Sequence, residues 1–229
     1  MSCTHKFFGH PAHLAGELGL LPTWETKTLI IGTFNPESKW HPNNAAQYYY
    51  GRTRNYFWKI LPNFSGKAAI PHHDVAAQID FLKANQIGVT DLLIRIKDAD
   101  INNQEHVARI RTVLDDKIEL FNEFEWNTSH IIHYIKSNDI KAVYFTKLGN
   151  ISLLHAKPNT FEAQVRDIEK ACKVLNIPSF RLHTPSGNAL GKGKPKNHNL
   201  IHRWYKHNGA DQFPFLATDF SLENFKINA

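Results

Sequence analysis

Short apolar runs alternate with helical stripes along this chain. Lys27 to Thr33 (Lys-Thr-Leu-Ile-Ile-Gly-Thr) is apolar without alternation and ends at glycine, the pattern of a strand buried on both faces. Lys141 to Thr146 (Lys-Ala-Val-Tyr-Phe-Thr) repeats it, and Pro178 to His183 and Ile87 to Leu93 give two more such runs. Helical spacing lies between them. Phe161, Val165, Ile168, Cys172 and Leu175 form one stripe, with Asn159 and Glu162 as a capping pair at its start. Val107, Ile110, Leu114 and Ile118 form another. Shorter helical stretches cover Val75 to Ala84, Thr128 to Lys136 and Asn197 to His207, and Phe57 and Trp58 open a helix that packs in the core. Strands separated by helices of this length imply βαβ units. The expected fold is a three-layer α/β/α sandwich with a central, mostly parallel four-stranded sheet, the whole chain 1–229 forming a single domain. In such sheets ligands bind beyond the carboxyl ends of the strands, so the residues just after each strand carry the functional question.

Composition narrows the partners. The formal charge is +6 and the pI about 9.2, an excess that favours an anionic partner, nucleic acid first. Hydrophobic residues make up 42% of the chain, enough for a sizeable core. Two cysteines, Cys3 and Cys172, are too few for a disulfide framework or for the roughly four thiolates of an iron–sulfur cluster. Histidine pairs occur at His10/His13, His130/His133 and His198/His202, but 14 histidines produce such spacings by chance. No metal and no cofactor is expected. No run approaches about 18 apolar residues and no secretory leader pattern stands at the start, so the expectation is a cytoplasmic monomer without a membrane partner.

The chemistry-bearing residues follow the first strand. Gly32-Thr33-Phe34-Asn35-Pro36-Glu37-Ser38 is a turn that places the Asn35 amide at the sheet mouth. Tyr48-Tyr49-Tyr50-Gly51-Arg52-Thr53-Arg54-Asn55-Tyr56-Phe57-Trp58 interleaves aromatic rings with arginines, a composition suited to stacking on bases and contacting phosphates. Gly191-Lys192-Gly193-Lys194-Pro195-Lys196 lacks the glycine spacing and the Ser or Thr of a nucleotide-hydrolase phosphate loop, and reads instead as a basic loop.

Taken together, Gly-Thr-Phe-Asn-Pro at 32–36 and Tyr-Tyr-Gly-Arg-Thr-Arg-Asn-Tyr-Phe-Trp at 49–58 resemble the first motif region of the uracil-DNA glycosylase superfamily, closest to its mismatch-specific uracil/thymine branch. Gly88-Val89-Thr90-Asp91-Leu92-Leu93, Lys141 to Gly149 and Thr184-Pro185-Ser186-Gly187-Asn188 resemble later segments of that family, in order, over a motif-bearing core of about 27–207. The resemblance implies a monofunctional enzyme of base excision repair that flips a deaminated base out of DNA and hydrolyses its N-glycosidic bond. Uracil is the first expectation, then hypoxanthine or xanthine. Asn35 matches the water-positioning asparagine, and because an amide is a poor general base, slow chemistry is expected. Glu37, where the relatives carry glycine, either assists or caps a helix, and His183 stands near the position of a leaving-base histidine. Thr33, Phe34, Tyr50 and Asn55 would bind the base, with Tyr50 as the stacking ring. Arg52, Arg54, Thr184, Pro185, Ser186, Gly187, Asn188, Lys192 and Lys194 would face DNA, with Asn188 or Leu190 as the wedge. Asp91, Asn102 and Asn103 are secondary candidates. Two other readings stay open: a DNA-binding relative with little or no catalysis, and an enzyme of free nucleosides or nucleotides.

Overall fold

The computed structural model describes residues 2–62, 67–148 and 157–186. Its strands are β1 (Cys3–Thr4), β2 (Thr28–Gly32), β3 (Ile87–Asp91), β4 (Leu93–Ile96), β5 (Phe124–Trp126), β6 (Ala142–Phe145) and β7 (Ser179–Arg181). The helices are α1 (Phe57–Ile60), α2 (Val75–Ala84), α3 (Gln104–Thr112), α4 (Asp115–Ile118), α5 (Thr128–Ser137) and α6 (Phe161–Val174).

The central sheet is parallel throughout, in the order β3-β2-β6-β7. Every residue of β2 and β6 is buried, as non-alternating apolar runs require. Leu29, Ile31, Val143 and Phe145 point into a core shared with α3, α5 and α6. Ile30, Ala142 and Tyr144, the intervening residues, point into a second core with α1, α2 and the Tyr48–Tyr49 segment. Two cores on opposite faces of one parallel sheet make the expected three-layer arrangement.

Several local expectations change. The run from Ile87 is two strands: β3 ends at Asp91, and the chain then crosses to a small antiparallel sheet of order β1-β4-β5. The backbone N–H groups of Leu92 and Leu93 donate to Gly32 and Thr33 carbonyls at the crossing. The stripe from Val107 to Ile118 is also two elements. Val113 adopts φ 52°, which ends α3 and leaves Leu114 48% exposed instead of in the core. Helix α6 is capped by Thr160, whose Oγ1 accepts from Ala163 N, and not by the Asn159–Glu162 pair. Glu162 is buried and pairs with Arg166 and Arg181. The helix expected over Asn197 to His207 lies outside the described residues.

Candidate active site

The strand order reverses direction at β2: β3 lies on one side, β6 on the other. Ligands of parallel sheets bind at such a switch point, beyond the carboxyl ends. Gly32 ends β2, Asp91 ends β3 and Thr146 follows β6, so all three stand at the carboxyl end of the sheet around the switch point.

Gly32 and Asp91 are cross-strand partners in the parallel register. The Asp91 side chain leans over the glycine so closely that a Cβ at position 32 would lie 2.2 Å from its Oδ1 and 2.9 Å from the Tyr50 hydroxyl. Absence of a side chain at Gly32 is what lets a carboxylate and a phenol meet at the strand end. Asp91 is 2% exposed. Its Oδ2 accepts from Asn35 Nδ2 at 3.1 Å and pairs with His5 Nε2 at 2.8 Å. Because Phe7 N donates to His5 Nδ1 at 3.1 Å, the ring proton sits on Nε2 and is donated to Asp91. His5 arrives from the N-terminal segment, which is held to the Asn35 loop by a bridge between His5 and Pro36 and by a bond from Lys6 N to the Asn35 carbonyl.

Tyr50 stands across the switch point. Its hydroxyl pairs with Thr146 Oγ1 at 3.0 Å, and its ring stacks on Phe57 with centroids 4.2 Å apart and planes 19° from parallel. Burial, then the nearby Asp91 charge, holds the hydroxyl well above the ordinary tyrosine range, so it stays protonated. The left-handed backbone at Tyr50, φ 55°, turns it away from its two neighbours. Tyr48 and Tyr49 belong to the core: both are fully buried, and Tyr49 O accepts from Trp58 Nε1. Phe57 and Trp58 are buried too.

The second motif region meets the first. Asn55 and Ser186 form an antiparallel bridge, and Tyr56 N donates to the Pro185 carbonyl at 2.9 Å. Asn55 uses its own Oδ1 to accept from Phe57 N at the start of α1. Thr184 is exposed and His183 half-buried just beyond β7. Gly187, Asn188, Leu190, Lys192 and Lys194 lie outside the described residues.

In the first loop, Thr33 and Asn35 are half-buried, whereas the Phe34 ring is buried edge-on to His5 at 5.8 Å. The backbone N–H groups of Thr33, Phe34 and Asn35 donate to no acceptor among the described residues. Glu37 neither approaches Asp91 through a hydrogen bond nor caps a helix. Its Oε1 accepts from Thr4 N and its Oε2 pairs with Lys39, which pins β1 to the loop. Asn103 caps α3 by accepting from Glu105 and His106 N, and exposed Asn102 bonds Asp100.

Positive charge gathers beside this switch point. Arg52 Nε donates to Asn44 Oδ1, and Lys6 Nζ donates to the Asn44 carbonyl. Burial lowers the pKa of Arg52, with the Asp91 charge opposing; burial and then Arg52 lower those of Lys6 and His41. Arg52 and Lys6 repel each other and would be relieved by an anion, whereas the lowered pKa keeps His41 mostly neutral near pH 7. Arg54 is exposed nearby in sequence.

Among the described residues there is no group of three or more His, Cys, Asp or Glu side chains arranged to hold a metal, and no helix long and apolar enough to cross a membrane. Cys3 and Cys172 are buried thiols, and burial pushes the Cys172 pKa up to about 11. The sequence signals had marked Asn35 and Tyr50 directly and Asp91 only as a secondary candidate. They had nothing to say of His5, which sits in no motif and joins the cluster from 86 positions away.

No family profile and no curated protein matches the chain. Among solved structures, one similar chain is described as "a putative Uracil DNA glycosylase from Methanosarcina acetivorans"; it shares 16% identity, with 78% of this chain and 88% of that chain covered, at a TM-score of 0.47. That likeness is too slight to establish kinship.

Proposed function

We propose that this chain is a DNA glycosylase that hydrolyses the N-glycosidic bond of a flipped, deaminated base, uracil first and hypoxanthine or xanthine next. The observation that carries the reading is the placement of Asn35. Its amide is anchored to Asp91 at the switch point while the side chain remains half-buried, and the same carboxylate meets the Tyr50 hydroxyl over Gly32.

Cleavage breaks the bond between the sugar C1′ and the base nitrogen, and the electron pair leaves on the base. Water adds to C1′, and its proton passes through solvent to the departing base anion, giving the free base and a C1′ hydroxyl. Asn35 Oδ1 accepts a hydrogen bond from that water and holds it beneath the sugar. Tyr50, backed on one face by Phe57, offers the other as a stacking surface for the base. The N–H groups of Thr33, Phe34 and Asn35, which donate to no acceptor among the described residues, are donors for base carbonyl oxygens on which charge develops as the bond breaks. Arg52 and Lys6 supply the cationic wall for the backbone phosphates, with His41 as a neutral neighbour and Arg54, Thr184, Pro185 and Ser186 along the strand. Gly187, Asn188, Lys192 and Lys194 complete the DNA-facing set in this proposal, and His183 serves the leaving base.

Labelled duplex and single-stranded oligonucleotides, each carrying one uracil, hypoxanthine, xanthine or mismatched thymine, test the reading. Incubation followed by hot alkali gives strand breakage on at least one deaminated base, and Asn35→Ala slows it by about 100-fold or more, leaving residual release measurable at excess enzyme. Intact strands for every base at excess enzyme overturn the proposal.

A further inference from the structure

We infer that Asp91 is a positioning residue, and that His5, Asp91 and Asn35 form a relay that fixes which end of the Asn35 amide faces the substrate. The inference rests on the glycosylase reading and goes beyond it. An asparagine side chain has two orientations related by a half-turn, one presenting a carbonyl oxygen and the other an NH2 group. Only the first can accept a proton-bearing contact from water, so half of the orientations are useless for the chemistry. The cluster supplies the missing choice. A carboxylate oxygen can only accept, so the group facing Asp91 Oδ2 must be the Asn35 NH2, 3.1 Å away. This turns Asn35 Oδ1 outward, where it accepts no hydrogen bond among the described residues and the side chain is only half-buried.

Asp91 is itself held in place. His5 donates its Nε2 proton to the same Oδ2 at 2.8 Å, and Phe7 N fixes that tautomer from the other side of the ring. Three edge-on or tilted aromatic contacts, with Phe7, Phe34 and Tyr49 at 5.6, 5.8 and 5.7 Å, leave the imidazole no room to turn. The bare Cα of Gly32 lets the carboxylate lie flat against β2. A charge-assisted bond to the NH2 also draws electron density toward the amide oxygen, making Oδ1 a better acceptor than an isolated amide.

The test compares Asp91→Asn, Asn35→Ala and the double variant with wild type in single-turnover and steady-state assays on the best substrate base. Asp91→Asn is expected to lower kcat about 100-fold, the scale of a misplaced catalytic group, with KM for DNA within about twofold of wild type. In the Asn35→Ala background it should cost nothing further, because it acts only through Asn35. An equal loss in both backgrounds overturns the inference and makes Asp91 the water-activating group itself; an Asp91→Asn variant at the wild-type rate also overturns it. Nitrogen-edited NMR of the unmodified protein reads the same geometry without turnover and needs a variant only for assignment. The Asn35 side-chain NH2, assigned by its loss in Asn35→Ala, should show one proton shifted well downfield of ordinary asparagine side chains by the bond to Asp91, and slow exchange with solvent. An NH2 with both protons at ordinary asparagine shifts and fast exchange with solvent overturns the relay. Should no base be released by wild type, the glycosylase reading falls, and the NMR result alone still decides whether Asp91 orients the amide.

Discussion

A methyl group at position 32 perturbs the whole cluster through one contact. In Gly32→Ala, the new Cβ lies 2.2 Å from Asp91 Oδ1 and 2.9 Å from the Tyr50 hydroxyl, whereas ordinary contact begins at 3.4 Å. The carboxylate has to retreat by about 1 Å, because β2 is paired on both sides and cannot move. That displacement carries the bonds to His5 and Asn35, 2.8 and 3.1 Å in the native protein, out to or past about 3.5 Å, where they cease to count. Overpacking costs about 1–3 kcal/mol, and hydrogen bonds to a carboxylate about 1.5–3 kcal/mol each. These terms share one displacement and do not add in full, so the expected loss is about 3 kcal/mol. Urea unfolding should show a lower midpoint at an unchanged slope. Base release should fall with it, since Asn35 loses its anchor. Combining Gly32→Ala with Asp91→Ala removes the obstacle, and there the glycine substitution should cost less than about 1 kcal/mol. A Gly32→Ala protein within about 0.5 kcal/mol of wild type, the noise of a surface change, would refute the packing argument.

Three further expectations follow from other parts of the structure. Tyr50→Phe keeps the ring on Phe57 and loses only the Thr146 bond, about 1 kcal/mol, so it should retain base release; Tyr50→Ala should abolish it, as measured by the alkali assay on the same oligonucleotide. His13 is buried, with Nδ1–H donating to the Phe7 and Gly19 carbonyls, and burial followed by the nearby His10 lowers its pKa from 6.5 to about 4. The folded state therefore binds fewer protons than the unfolded one between those values. The stabilisation is complete above pH 6.5 and disappears as the pH falls to about 4, by up to roughly 3 kcal/mol, with His10 and His41 acting in the same direction; unfolding curves at pH 7 and pH 5 check the sign. Arg181 bonds both Glu162 and Glu169 at the edge strand, and Arg181→Met should cost about 1–3 kcal/mol in thermal or urea unfolding, less than a fully buried pair because all three side chains keep some solvent contact.

The sheet was legible in the sequence because a strand buried on both faces has no polar positions, so Thr28–Gly32 and Ala142–Phe145 stand out as unbroken runs. Helix α6 was legible because its stripe is long and its cap polar, although the capping atom belongs to Thr160 and not Asn159. The break at Val113 was not. A β-branched residue with positive φ violates local preference and is imposed by the packing around it. Of the candidate site, the turn at Gly32–Pro36 was visible because an Asn-Pro turn is a local signal. The tyrosine run could not be sorted in advance: three identical side chains part company through the backbone twist at Tyr50, which sends Tyr48 and Tyr49 to the core. His5 carried no signal, since its role comes from a long-range bridge to Pro36 and from a register that puts Asp91 opposite Gly32.

The central claim is that Asn35 directs water to a sugar carbon at this switch point. Base release in water enriched in oxygen-18, followed by mass spectrometry of the DNA product and of the liberated base, tests it most directly. The account predicts a free base, label at the sugar C1′ and both signals appearing about 100-fold or more slowly in Asn35→Ala. Unaltered DNA, or equal product from wild type and Asn35→Ala, would contradict it.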